Sequence, residues 1–142
     1  MKKIILCLAL LIACTTISFA QCDKKILITS SVTEYLDSTG TLQRSKDENS
    51  SVEINKTDIV ITPGDEKHQI SGMIKSNTCD WSIPFKEGKS VIKATLTDPR
   101  GEIMNATITI TGKDGKIILL FELAETPDRK IRITVVKFEE VK

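Results

Sequence analysis

Apolar and polar residues alternate through most of the chain beyond residue 21, and turn residues interrupt the alternation at short intervals. The pattern is clearest in the C-terminal half. Ile92, Ala94 and Leu96 oppose Val91, Lys93, Thr95 and Thr97, while Met104, Ala106, Ile108 and Ile110 oppose Asn105, Thr107, Thr109 and Thr111. A period of two with β-branched residues predicts strands that bury one face. Asp98-Pro99-Arg100-Gly101 supplies a turn in which Pro presets φ and Gly closes it. Gly112-Lys113-Asp114-Gly115 carries the Asp-Gly pair that favours a tight hairpin. Ile117–Leu123 follows, then a turn at Thr126-Pro127-Asp128-Arg129, then Ile131, Ile133 and Val135. Val135, Val136 and Phe138 break the period, which predicts a bulge or a change of face there.

The first half reads more coarsely. Asp23–Asp37 is β-branched and ends at Ser38-Thr39-Gly40, while the charged stretch Leu42–Ser51 is expected to be a long loop or a frayed edge. Val52 and Ile54 resume the alternation, Ile59–Thr62 stops at Pro63-Gly64-Asp65, and His68–Lys75 alternates again. Trp81, Ile83 and Phe85 are expected to share one face of a further short strand. Ile117–Phe121 is apolar on both faces, which predicts a central strand covered on both sides, or else an apolar strip exposed to a lipid or partner. The Thr-rich set on Thr95, Thr97, Thr107, Thr109 and Thr111 reads as an ordinary solvated sheet face. The expectation is a single all-β antiparallel meander domain, closing as a small barrel or stacking as a two-sheet sandwich.

Residues 1–20 fall outside this pattern. Lys2 and Lys3 precede an apolar run from Ile4 to Ala13, and Ser18-Phe19-Ala20 gives the small-x-small pattern cut by a signal peptidase. The run is shorter than the roughly 20 apolar residues a membrane-spanning helix needs. The chain therefore divides into a signal peptide, 1–20, and an all-β domain, 21–142, of an exported protein, either secreted or periplasmic. A second reading uses Leu11-Ile12-Ala13-Cys14 as a lipobox, which would anchor the protein to the membrane through Cys14. Cleavage after Ala20 removes Cys7 and Cys14 and leaves Cys22 and Cys79, which are expected to form a disulfide bond in an oxidising compartment.

Charge and chemistry narrow the function mainly by exclusion. Removing Lys2 and Lys3 from the 20 basic side chains leaves 18 against 19 acidic ones, a net charge near −1. That interspersed balance argues against a nucleic-acid surface, which shows a basic stripe. His68 stands alone beside a turn with no second histidine, so no metal site of the usual zinc type is expected, and no cofactor motif is present. Catalytic triads lack their partners, and Asp37-Ser38-Thr39-Gly40 resembles the aspartic-protease Asp-Thr/Ser-Gly with one residue too many and no second copy. The chain is therefore expected not to be an enzyme.

In topology the meander resembles the calycin group of small barrels, which often carry apolar ligands. The Gly-x-Trp signature of many lipocalin first strands is not present, and Tyr35 is the aromatic nearest the mature start. That resemblance implies a binding protein for an apolar small molecule or lipid, with Trp81, Phe85 and Phe121 as candidate ligand contacts and Ile92, Leu96 and Ile108 as further lining. Trp81 also suits a place in the core beside the Cys22–Cys79 bridge. The alternative is a cell-surface or periplasmic interaction module with a filled core, binding another protein. A carrier should enclose a cavity of a few hundred Å³, roughly the lower end of known ligand sites.

Overall fold

The computed structural model describes residues 22–141, so the expected signal peptide and the lipidation reading at Cys14 lie outside the described residues. Nine strands run in chain order: β1 (Ile26–Asp37), β2 (Leu42–Ile54), β3 (Asp58–Pro63), β4 (Ile70–Ile83), β5 (Glu87–Thr97), β6 (Ile103–Lys113), β7 (Lys116–Leu123), β8 (Arg129–Thr134) and β9 (Lys137–Glu140). Each pairs antiparallel with its neighbour from β1 through β8, and β8 returns to β1 (Thr33↔Ile133, Tyr35↔Ile131), which closes an eight-stranded barrel. Strand β9 continues beyond β8 and pairs with the first half of β1, placing Phe138 opposite Ile28. A meander with one apolar face has to bury that face, and closure does so without leaving two long sheet edges.

The turns follow their sequence chemistry. Asp114 and Gly115 both take positive φ (52° and 76°), as a two-residue hairpin requires. Asp37 and Asp98 build two equivalent turns at one end of the barrel. In each, the Asp Oδ1 accepts backbone N–H groups from two and four residues ahead, at 2.9 and 3.0 Å for Asp37 and at 2.9 Å twice for Asp98. Gly40 and Gly101 close the turns at φ 85°. The Asp37 motif is thus a turn clasp, its Oδ1 accepting from backbone and from the Thr39 hydroxyl at 2.7 Å and its Oδ2 from Gln43 Nε2 at 3.1 Å.

Three expectations about the strands change. Of the two readings of Leu42–Ser51, the loop fails and the edge holds: the stretch forms most of β2, paired to β1, with Leu42–Asp47 exposed throughout. Its polarity reflects a stretch with β1 alone as partner, since β3 begins pairing only at Ser50. The expected strands around His68–Lys75 and Trp81–Phe85 are one continuous β4 with register shifts at Ile74/Ser76 and Trp81/Ile83. The second shift turns Ile83 outward to 45% exposure while Trp81 is buried, and Phe85 lies in the following turn at φ 61°, so the three share no face. Strand β7 is covered on one face only. Ile117 and Leu119 enter the core, whereas Ile118 and Leu120 lie half-buried on the outer wall beside Thr111, Thr109 and Arg132. The break at Val135–Val136 behaves as expected, with Val136 exposed and Phe138 packed against the core.

Five carboxyls sit below their ordinary range in the folded state. Glu34 is held down by the Arg132 guanidinium at 2.7 Å, Asp37 by the Thr39 hydroxyl, Asp65 by His68, Asp98 by the Glu102 amide, and Glu125 by the Asn105 amide. Such groups stabilise the fold above their unfolded values, near 4, and that contribution is lost as pH falls through the lowered ones. The melting temperature should therefore be flat from neutral pH to about 5 and fall below about 4. Replacing Asp37 and Asp98 together by Asn should flatten that acid limb; an unchanged limb in thermal scans across pH would contradict the assignment.

Candidate functional site

The barrel interior is unequal along its axis. At the end opposite the two Asp turns it is packed solid. The Trp81 indole is 3% exposed and donates through Nε1 to the Ser90 hydroxyl at 2.7 Å; Ser90 in turn lies 3.5 Å from Cys79 Sγ. Phe138 stacks at a tilt on Trp81 (5.5 Å between centroids) and meets Phe85 edge-on at 4.9 Å. Gly88 and Gly112 are register partners beneath this ring, and a Cβ on Gly112 would lie 2.7 Å from the indole Cζ3. The Cys22–Cys79 disulfide, with Cα atoms 6.1 Å apart, ties the start of the described chain to the same end.

Towards the Asp turns the interior opens into a cavity of about 90 Å³. Its wall is largely apolar: Val52, Ile61, Ile70, Ile108, Leu119 and Phe121, with Ile131 and Ile133 from β8. Tyr35 stands at the rim, its ring covered by the Arg44 guanidinium at 4.4 Å. Half-buried Tyr35, Pro63, Ile70 and Phe121 place the cavity's approach at this end of the barrel.

Three polar residues interrupt that wall, namely Thr33, Glu48 and Ser50. Thr33 Oγ1, Glu48 Oε1 and Ser50 Oγ are all buried and have no hydrogen-bond partner among the described residues. The other Glu48 oxygen, Oε2, accepts an ion pair from Lys46 at 3.0 Å, and this pairing raises the Lys46 pKa. Glu48 keeps only 9% of its side chain exposed, whereas Lys46 keeps 58%. An unsatisfied buried polar atom costs about 1–3 kcal/mol, so three around one small cavity are a concentrated defect in an otherwise well-paired barrel.

The sequence-predicted contacts separate. Phe121 and Ile108 line the cavity; Ile92 and Leu96 are sealed in the core at 1% and 0% exposure; Trp81 and Phe85 belong to the packed end. The polar trio escaped the sequence reading, although part of its signal was present. Two-residue steps back from Ile54 and Val52 lead to Ser50 and Glu48, on the same inward face of β2. Thr33 was hidden because β1 shifts register between Ser30 and Val32, which moves the inward positions from even to odd numbers. Ser30 secures that irregularity, its hydroxyl lying 2.9 Å from the Thr134 carbonyl and 3.0 Å from that of Val32.

Outside the barrel, His68 sits exposed on a single 3-10 turn, its Nδ1 2.8 Å from Asp65 Oδ1. No group of three or more His, Cys, Asp or Glu side chains suited to a metal ion occurs among the described residues, and no helix there is long and apolar enough to cross a membrane. Compared with family models, curated proteins and solved structures, the chain shows no significant match to any of them.

Proposed function

We propose that this chain is an exported, non-enzymatic binding protein that takes a compact apolar molecule into the open end of its barrel. The observation that carries this reading is the apolar cavity itself, placed where half-buried side chains give access from solvent. Its volume sets the occupant. About 90 Å³ is less than the roughly 150 Å³ that accepts a benzene ring, and far less than the 300 Å³ at which drug-sized sites begin. A long-chain lipid would leave most of its length outside, so a small molecule, or the tip of a larger one, suits the site better. Export agrees with the Cys22–Cys79 bond, which belongs to an oxidising compartment. The alternative of a protein-interaction module draws no comparable support. The large exposed apolar residues Leu42, Met73, Ile83, Ile103 and Val136 are single, and none is the register partner of another.

Xenon and short haloalkanes provide the test, read on methyl-labelled protein. Methyl shifts should concentrate on Ile61, Ile108, Ile131 and Ile133 and leave Ile117, near Trp81, unmoved. Absence of any cavity response at saturating xenon would remove the binding reading. Trp81 emission is the wrong probe here, since the indole lies off the cavity wall and reports folding.

A further inference from the structure

The cavity wall is more specific than an apolar pocket requires. A barrel selected only to hold hydrocarbon would line it with Val, Ile and Leu, as this one does at most positions. Instead Thr33 and two consecutive inward residues of β2, Glu48 and Ser50, present oxygen atoms that no group among the described residues satisfies. These oxygens differ in what they ask of a ligand. Thr33 and Ser50 hydroxyls can donate or accept, whereas an ionised Glu48 carboxylate only accepts. Lys46 occupies Glu48 Oε2 from the solvent side, which leaves Oε1 as the acceptor next to the cavity.

We propose that this trio is the polar half of the ligand site, and that it selects molecules carrying a hydrogen-bond donor, an alcohol or a primary amine, on a short apolar body. The inference rests on the binding function proposed above and adds the ligand's chemistry to it. A hydroxyl or ammonium group entering beside Glu48 gives Oε1 its missing donor and can pair with Thr33 and Ser50 as well. The apolar remainder then lies against Ile108, Leu119 and Phe121. An anionic head of the same size meets a like charge at Oε1 and gains no donor there, so carboxylic acids in their ionised form are excluded. About 90 Å³ would also accommodate roughly three water molecules, which makes hydration of the trio the competing occupant.

A matched series separates these possibilities: 1-butanol, butylamine and butyrate titrated into the mature protein, with xenon as the apolar control and methyl shifts as the readout. Butanol and butylamine should bind at least about 10-fold more tightly than butyrate, the scale of one hydrogen bond to a charged group. Glu48→Gln, which keeps the shape and removes the charge, should shrink the discrimination against butyrate several-fold. Thr33→Val, nearly the same size, should weaken butanol relative to xenon, because it removes a hydroxyl partner and adds apolar wall. Equal binding of butyrate and butanol overturns the proposal. So does xenon binding with no response to either donor ligand, which leaves the apolar cavity reading intact and the trio merely hydrated. Silence from all four ligands overturns both. Unperturbed amide spectra outside the cavity confirm that each variant is folded.

Discussion

Replacing Trp81 by alanine is expected to destabilise the protein by about 3–5 kcal/mol, the usual range for a buried large aromatic. Such a loss is a large part of the roughly 5–15 kcal/mol that holds a domain together. The indole fills the closed end of the barrel over Gly88 and Gly112 and is itself filled against by Phe138. Alanine would therefore open a void whose floor is two glycines, which carry no side chain to fill it from below. Ser90, 5% exposed, would lose its indole donor as well. Urea unfolding followed by circular dichroism measures the effect, and Trp81→Phe should recover part of it by keeping an aromatic ring. A Trp81→Ala midpoint within error of wild type would show that this end is not the keystone assigned here. Because the cavity lies at the other end, ligand-induced shifts in Ile108 and Ile131 should persist in whatever fraction of the variant stays folded.

Removing the disulfide should have an effect of similar size. The Cys22–Cys79 bond spans 57 residues, and closing a loop of that length stabilises a fold by roughly 4 kcal/mol in the chain-entropy view. The loop contains β1, β2, β3 and most of β4, so the bond constrains half the barrel in the unfolded state. The paired Cys22→Ser and Cys79→Ser variant should unfold at a clearly lower denaturant concentration than the oxidised protein, with reduced wild type matching the variant. Free Cys22 and Cys79 thiols in the untreated protein, or equal midpoints for oxidised and reduced forms, would refute this role. The two losses should not add fully, since Cys79 and Trp81 share Ser90 as a neighbour.

Much of the barrel was legible from residue order because period two is a strict geometric consequence of extended backbone. Strands β5, β6 and β7 keep one parity from end to end, and their inward residues Ile92, Ala94, Leu96, Ala106, Ile108 and Ile110 are all buried. Reading failed where the parity reverses. In β1 the inward set passes from Ile26, Ile28 and Ser30 to Thr33; in β4 it passes from Ile70 and Ile74 to Cys79 and Trp81. A bulge needs no distinctive residue, so Ser31 and Lys75 announce nothing. The same reversals reposition the chemistry, since one brings Thr33 onto the cavity wall and another buries Trp81.

The residues by themselves determined the class of the fold, an antiparallel meander with tight Asp-Gly and Asp-Pro turns, and they pointed to the pairing of Cys22 with Cys79. Those features are local, or follow from counting. Closure of the meander into a barrel, and the division of its interior into a solid end and an open one, were decided only in three dimensions. Closure depends on β1 reaching both β2 and β8, partners separated by up to about a hundred residues along the chain. The polar trio is likewise a product of closure, because Thr33, Glu48 and Ser50 become neighbours of Ile108, Phe121 and Ile131 only when the last strand meets the first.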